Sequence, residues 1–185
     1  MSKTKRKSTS PKLDPVTQYA TDVVTGTVIA GPIVRDACKR HLDDLEKGRE
    51  RGIYLDVEAA LRAIEFFPDV LRLNGGEFEG VPFELLPWQA FCVGSLFGWK
   101  GSDGYRRFRM AYVETGKGSG KSPFAAGIGL YCMVADGEMR AEVYAAATKK
   151  EQAQVLFRDA VAMVDQSPDL FNLIDKSGAT GKEYN

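Results

Sequence analysis

The sequence has few of the residues that build metal centres, disulfide frameworks or membrane spans. Three cysteines, Cys38, Cys92 and Cys132, are widely separated, and His41 is the single histidine. An odd number of cysteines without a CxxC pair argues against disulfides and a zinc site, and favours buried thiols in a reducing compartment. No apolar run approaches the roughly 18 residues of a membrane span, and the N-terminus lacks the apolar stretch of a signal peptide. These absences predict a cytoplasmic protein that does not enter a membrane.

The sequence also lacks an excess of positive or of negative charge. The formal net charge of the 185 residues is zero, which gives no global electrostatic case for binding nucleic acid. The apolar fraction of 44% and the charged fraction of 27% are those of an ordinary soluble globular protein. Residues 1–13 contain five basic residues and no acid, which predicts a disordered basic tail. An auxiliary contact of this tail with a phosphate backbone is the alternative.

The first hundred residues contain mostly helical patterns. Asp14 followed by Pro15 predicts the start of a helix over 14–24, and Asp56 predicts the start of another that runs to about Phe67. A helix over 32–47 is predicted by one apolar stripe, with His41 at its edge as a packing residue. The stripe consists of Ile33, Val34, Ala37, Cys38, Leu42 and Leu45. Residues 74–82 are rich in turn formers, and 86–97 predict a nearly all-apolar helix.

Further along, the pattern changes to alternating strands and helices. Ala111–Glu114 and Ala141–Ala147 are β-prone, and 121–134 fit a buried helix between them. Thr148 and Glu151 have the spacing of a capping box that opens another helix. Strand, loop, helix, strand and helix in this order predict an α/β domain with a parallel sheet.

Between the first predicted strand and its helix lies a glycine-rich loop, Thr115-Gly116-Lys117-Gly118-Ser119-Gly120-Lys121-Ser122. Backbone N–H groups of such a loop and the following helix N-terminus form an anion site. In this pattern Lys121 reaches the β- and γ-phosphates of a nucleotide and Ser122 binds Mg²⁺. The strict pattern requires glycine where Thr115 stands. Lys117 adds a second cation, either as a phosphate contact or as a solvated side chain, and a purely structural turn is the alternative for the whole loop.

Two further features bear on chemistry. Trp88 and Gln89 precede the loop, and they are candidates either for contact with a nucleotide base or for the core of an apolar helix. ATP hydrolysis also needs an acid at the end of a second hydrophobic strand to hold Mg²⁺. Asp165 follows an apolar run that continues a helix, and Asp136 and Glu138 lie in a turn. We therefore predict no catalytic carboxylate in this sequence.

In this order the motifs resemble the N-terminal part of the large subunit of tailed-bacteriophage terminases, the ATPase–nuclease that drives DNA into procapsids. The resemblance runs from about Asp14 to Leu170. It is carried by Tyr19-Ala20, Val34-Arg35-Asp36-Ala37-Cys38, Gly76-Glu77-Phe78, Leu86-Pro87-Trp88-Gln89, Arg106-Arg107-Phe108-Arg109, Ala111-Tyr112, Gly120-Lys121-Ser122 and Ala146-Ala147-Thr148-Lys149-Lys150-Glu151-Gln152-Ala153.

The resemblance implies ATP and Mg²⁺ as cofactors, and double-stranded DNA, a portal protein and a small terminase subunit as partners. It matches residues 115–122 to the family's deviant phosphate loop, Lys117 to the extra basic residue of that loop, and Trp88 and Gln89 to the adenine-side motif. The family's magnesium acid, catalytic glutamate and nuclease domain would follow Asn185. We therefore expect a truncated or split protein that binds nucleotide without translocating or cutting DNA alone, with the remaining part on another chain as one arrangement.

The predicted fold class is α/β, with a helical N-terminal segment followed by the incomplete start of a P-loop NTPase domain whose parallel sheet is helicase-like. The predicted divisions are a tail over 1–13, a helical segment over 14–100 and the ATPase part over 101–185. Because two strands leave sheet edges open, we expect marginal stability or association. A small P-loop phosphotransferase and a non-enzymatic helical module that binds DNA or protein are the alternative functions.

Overall fold

The computed structural model describes residues 14–174 and the backbone of two short strands beyond them; the predicted basic tail over 1–13 lies outside the described residues. The helices are α1 (Pro15–Val24), α2 (Pro32–Lys47), α3 (Val57–Val70), α4 (Pro87–Gly98), α5 (Lys121–Val134), α6 (Lys150–Gln166) and α7 (Pro168–Leu173). Strand β1 (Ile53–Leu55) pairs antiparallel with β2 (Trp99–Gly101), and β3 (Lys176–Ser177) pairs antiparallel with β4 (Glu183–Tyr184). None of the helices described here is long and apolar enough to cross a membrane.

Local capping fixes two of the predicted helix starts. The Asp14 carboxylate accepts hydrogen bonds from the backbone N–H groups of Val16 at 3.0 Å and Thr17 at 2.9 Å. Asp56 accepts one from Ala59 at 3.0 Å and begins α3 in the same way. Each bond satisfies a donor that has no partner within the helix. The predicted bounds of 32–47 and 121–134 are confirmed, whereas α3 continues three residues beyond Phe67.

The apolar stripe predicted on α2 is wrong at several positions. Ile33 is 84% exposed, and Val34 and Leu45 are also exposed. The buried face of α2 instead carries Cys38, His41 and Asp44, which recur every three residues. Polar side chains occupy this face because each finds a partner on another element, which a hydrophobicity pattern does not reveal.

The two central strands predicted from β propensity are also wrong. Residues 111–114 and 141–147 form no strand. Within each segment, side chains two residues apart still contact one another, since the hydroxyl of Tyr112 donates to Glu114 at 3.0 Å and that of Tyr144 donates to Glu142. This spacing is typical of an extended chain. Both segments therefore have the extended conformation that their composition favours. A strand also needs a neighbouring strand to pair with, and neither segment has one among the described residues.

The capping box predicted at the start of α6 does not form. The N-cap is Lys149, and the hydroxyl of Thr148 donates to the side chain of Gln152 at 3.0 Å. Glu151 lies in the first turn of the helix, where a negative charge is favourable without a capping hydrogen bond. The helix itself is present, so the error concerns its first residue and its cap.

A first core lies where α1 packs on α2 and α4. Its fully buried side chains include Val16, Ala20, Val23 and Cys38. Helices α1 and α4 approach so closely that a Cβ at Gly94 would lie 2.3 Å from Cγ2 of Val16. Burial raises the pKa of the Cys38 thiol to about 11, in agreement with the predicted buried thiols. The other two cysteines are half-buried.

A second core joins α3 and α4 to α5, α6 and α7 around aromatic rings. Phe67 is completely buried, and its ring meets those of Phe83 and Phe124 at centroid distances of 5.2 and 6.2 Å. A Cβ at Gly127 would lie 2.5 Å from Cε1 of Phe67, so only glycine allows α5 to approach this ring. This core contains residues from both sides of residue 100, where the predicted division between the helical segment and the ATPase part lies.

His41 is a buried packing residue, as predicted. Its Nδ1 accepts a hydrogen bond from the indole N–H of Trp99 at 3.1 Å, and its Nε2 lies 3.1 Å from the hydroxyl of Thr17. Because an indole can only donate, Nδ1 carries no proton and the neutral ring is the Nε2–H form. Burial lowers the pKa of His41, while the carboxylates of Asp14 and Asp44 oppose that change.

The depressed pKa of His41 predicts a stability that falls on acidification. Below a pH of about 6.5 the histidine of the unfolded chain is protonated while His41 of the folded chain stays neutral. The free energy of unfolding therefore falls as the pH falls, by at most about 1.4 kcal/mol per pH unit. Because the sequence holds one histidine, an NMR titration of its ring reads this pKa directly, and we expect a value below 6.5. A value at or above 6.5, or an Nδ1–H ring, would contradict the buried neutral state.

Candidate functional site

The glycine-rich loop over 115–122 leads directly into α5, as the sequence predicts. Gly118 and Gly120 have φ angles of +81° and +74°, and Gly120 is the N-cap of α5. These left-handed conformations are readily adopted only by glycine. A Cβ at Gly116, Gly118 or Gly120 would meet nothing within 4 Å, so the loop faces open space on the surface.

The side chain of Lys121 turns back over the loop. Its ammonium donates to the backbone carbonyls of Thr115 at 2.8 Å and Gly116 at 2.7 Å. A lysine ammonium has three donors, and these two bonds hold it above the loop backbone. The positive charge is thus placed at the loop, where the sequence predicts that phosphate binds.

Two hydroxyl groups make further hydrogen bonds within the loop. Thr115 donates to the hydroxyl of Ser119, and Ser119 donates to the carbonyl of Gly116 at 2.8 Å. Thr115 and Ser119 are half-buried, whereas Gly116, Lys117 and Gly118 between them are exposed. The loop therefore consists of an exposed turn held at its base by side chains.

The N-terminal turn of α5 supplies further donors. The first helical hydrogen bond runs from the N–H of Phe124 to the carbonyl of Gly120 at 3.1 Å, so the N–H groups before it have no partner within the helix. Pro123 has no N–H and costs no bond in this turn. Within the described residues, the hydroxyl of Ser122 and the ammonium of Lys117 make no hydrogen bond, and both are available to a ligand.

Trp88 and Gln89 lie at the start of α4, close to the start of α5. The indole of Trp88 packs edge-on against the ring of Phe124, with centroids 5.4 Å apart. Gln89 is buried, and its Oε1 accepts the backbone N–H of Leu86 at 2.8 Å. The structure thus brings Trp88 beside the helix that follows the loop, and it uses the Gln89 oxygen to cap α4. Their contact with a base stays a prediction.

Two of the three acids weighed in the sequence lie away from the loop. Asp136 and Glu138 follow the C-terminal end of α5, whose 14 residues span about 21 Å from the loop. Asp136 pairs with Arg106 at 3.2 Å. Asp165 lies in the last turn of α6, as the sequence predicts.

The segment before the loop is attached by an ion-pair cluster that sequence reasoning missed. Asp44 is buried on α2 and binds the guanidinium groups of Arg107 and Arg51. Burial alone would raise the pKa of Asp44, but the hydrogen bonds from Arg107 and Arg51 hold it below its usual range. Arg107 also covers the ring of Trp99 at 5.5 Å. A signal was present in the sequence, since Asp44 falls on the same helical face as Cys38 and His41.

A glycine-rich loop that enters a helix through Gly-Lys-Ser is the arrangement of P-loop nucleotide-binding proteins. The family described as "Terminase large subunit, ATPase domain" matches residues 87–183, which is just over half of the chain. The chain therefore belongs to the terminase large-subunit ATPase family, and the predicted resemblance is confirmed. The match begins at the first residue of α4 and includes Trp88, Gln89 and the whole loop.

A solved structure agrees with the family. The chain is similar to the crystal structure of the HK97 bacteriophage large terminase, with 25% identity and a TM-score of 0.57. The likeness covers 68% of this chain and 24% of that terminase, so the chain spans about a quarter of its length. This match supports the α/β P-loop fold class predicted from the sequence. Among curated proteins none matches the chain.

The ion-pair cluster predicts an unequal effect of its two arginines. Arg107→Ala should lower the free energy of unfolding by about 1–2 kcal/mol, since it removes a partner of a buried carboxylate and its packing on Trp99. Arg51→Ala should cost less, because the Arg51 side chain is 55% exposed. Urea denaturation of each variant measures the difference.

The matched control for this comparison is Lys39→Ala, which removes an exposed pair with Asp43 on the same helix and should leave the urea midpoint unchanged. Equal effects of Arg107→Ala and Lys39→Ala would show that Asp44 does not anchor the segment before the loop.

Proposed function

We propose that this chain is the ATP-binding part of a phage DNA-packaging motor and that residues 115–122 bind the phosphates of ATP. The observation that carries the proposal is the position of Lys121, whose ammonium lies over the loop carbonyls of Thr115 and Gly116 at the start of α5. Membership of the terminase ATPase family supports nucleotide as the ligand.

The phosphates would be held by three kinds of positive group. Backbone N–H groups of the loop and of the first turn of α5 would contact phosphate oxygens, since anions are stabilised at a helix N-terminus. Lys121 would use its third donor, or exchange its carbonyl partners, to bind the β- and γ-phosphates. The exposed Lys117 would add a second charge-assisted contact with phosphate oxygens.

The hydroxyl of Ser122 would bind Mg²⁺. It is a hard oxygen donor on the first turn of α5, and Mg²⁺ commonly takes one or two protein oxygens together with phosphate oxygens and water. Bound there, the metal would neutralise charge on the β- and γ-phosphates. The protein's part is to hold Ser122 at the end of the loop, and the packing of α5 on Phe67 at Gly127 supports that position.

Trp88 and Gln89 would form the adenine side of the site. Trp88 is half-buried against Phe124 at the beginning of α5, which brings α4 close to the loop. Its remaining exposed surface would pack near the base. The amide N–H₂ of Gln89 would donate to the base while its oxygen caps α4.

The partners and the activity of the larger protein are proposed from its family. For the terminase large subunit to which these residues correspond, we propose double-stranded DNA, a portal protein and a small terminase subunit as partners. We also propose that residues 14–100 form its helical segment and residues 101–185 the first part of its ATPase domain. The chain spans about a quarter of the HK97 terminase, so translocation is proposed for the larger protein.

Titration of Mg·ATP tests this function. Lys121→Ala should weaken binding at least tenfold, on the order of the 1.5–3 kcal/mol of a charge-assisted hydrogen bond. Lys117→Ala should weaken it by about threefold, because Lys117 is exposed. Lys47→Ala, an exposed lysine on α2, is the control and should leave the Kd unchanged.

A metal arm sharpens the same titration. Chelation of Mg²⁺ should weaken binding of ATP by the wild type, and Ser122→Ala should abolish most of that dependence. Absence of ATP binding by the wild type, or equal binding by wild type and Lys121→Ala, would contradict the proposal and favour a non-enzymatic helical module.

A further inference from the structure

Thr115 occupies the one position where the loop departs from the strict phosphate-loop pattern, which has glycine there. The structure shows why a larger residue fits. Arg140 is the one non-glycine residue with a positive φ in the part of the chain that the structure describes, so Thr115 lies in ordinary backbone conformation. The backbone conformation therefore does not require glycine at this position.

The side chain of Thr115 makes a bond that glycine cannot make. Its hydroxyl donates to Ser119, and the single proton of the Ser119 hydroxyl goes to the carbonyl of Gly116 at 2.8 Å. This relay connects the first and fifth residues of the loop across the exposed turn. The same carbonyl of Gly116 accepts the ammonium of Lys121 at 2.7 Å, so the relay and the lysine share one backbone group.

The relay spans the glycine-rich part of the loop. Gly116, Gly118 and Gly120 alternate through it, and glycine loses more conformational freedom on ordering than any other residue. A loop that must order around a ligand binds it more weakly by the cost of that ordering. A side-chain bond that holds Thr115 against Ser119 beforehand reduces this cost.

We propose that Thr115 is a positioning residue that preorganises the phosphate loop through its hydroxyl bond to Ser119, in place of the glycine of the strict pattern. The inference rests on the proposed function, since the bound group is the phosphate chain of a nucleotide. Thr115 acts through Ser119 and Gly116 on the loop backbone and on Lys121, and its side chain need not touch the ligand.

The test is a set of Mg·ATP titrations on the full chain. Thr115→Val removes the hydroxyl at nearly constant shape and should raise the Kd about three- to tenfold, the range of one hydrogen bond. Thr115→Ser should restore wild-type affinity, because it retains the hydroxyl. Thr115→Gly, which creates the strict pattern, should weaken binding and not improve it.

A double-mutant cycle separates this role from a general structural one. Ser119→Ala should weaken binding as Thr115→Val does, and the double variant should be no weaker than either single variant. Thr148→Val, at an exposed threonine outside the loop, is the control and should bind like the wild type. All variants should melt at the wild-type temperature, since Thr115 lies outside both cores.

The outcomes distinguish this inference from the proposed function. If the wild type binds Mg·ATP and Thr115→Val or Thr115→Gly binds equally well, the positioning role is overturned while the site stands. Additive effects of Thr115→Val and Ser119→Ala would overturn it as well. If the wild type does not bind, the proposed function fails first.

Discussion

The structure depends on the contact between the ring of Phe67 and the bare backbone of Gly127. Phe67 comes from α3 and is completely buried, and no Cβ fits between its Cε1 and α5 at Gly127. This contact, with the Phe67–Phe124 ring pair, fixes the helix that begins at Lys121 against the N-terminal helices. Because the last two residues of the loop, Lys121 and Ser122, are the first two residues of α5, fixing that helix fixes one end of the loop. The N-terminal helices and α5 therefore pack together, and the proposed phosphate loop lies at the start of α5.

The segment before the loop is held by ion pairs. Arg107 reaches back to the buried Asp44 on α2, and Arg106 reaches Asp136 beyond the far end of α5. The residues from 110 to 114 that follow are exposed and make no strand. The glycines of the loop thus lie between a segment held by ion pairs and a helix held by aromatic packing. Between these two ends, the bonds of Thr115, Ser119 and Lys121 set the shape of the loop.

Local chemistry made much of this predictable. Capping by Asp14 and Asp56, helical periodicity over 32–47 and the glycines before Lys121 depend on neighbouring residues, and each gave the right element. Apart from the capping box at Thr148, which is a local error, the errors concern partners that are distant in sequence. Residues 111–114 and 141–147 have the composition of strands but no strand to pair with among the described residues. Asp44 can be buried because it pairs with Arg107, which lies 63 positions later in the sequence. The pattern of apolar residues on α2 does not encode that pairing. The oxygen of Gln89 caps α4 by accepting the backbone N–H of Leu86, and contact of its amide with a base stays a prediction.

The account requires that phosphate bind at residues 115–122 and not elsewhere on the surface. A ¹H–¹⁵N NMR titration of the full 185-residue chain with Mg²⁺ and a non-hydrolysable ATP analogue tests this most directly. The account predicts that the largest saturable shifts occur at the amides of Gly116, Gly118, Gly120, Lys121 and Ser122, with smaller shifts at the indole N–H of Trp88. Saturable shifts confined to other elements, with these loop amides unmoved, would contradict it.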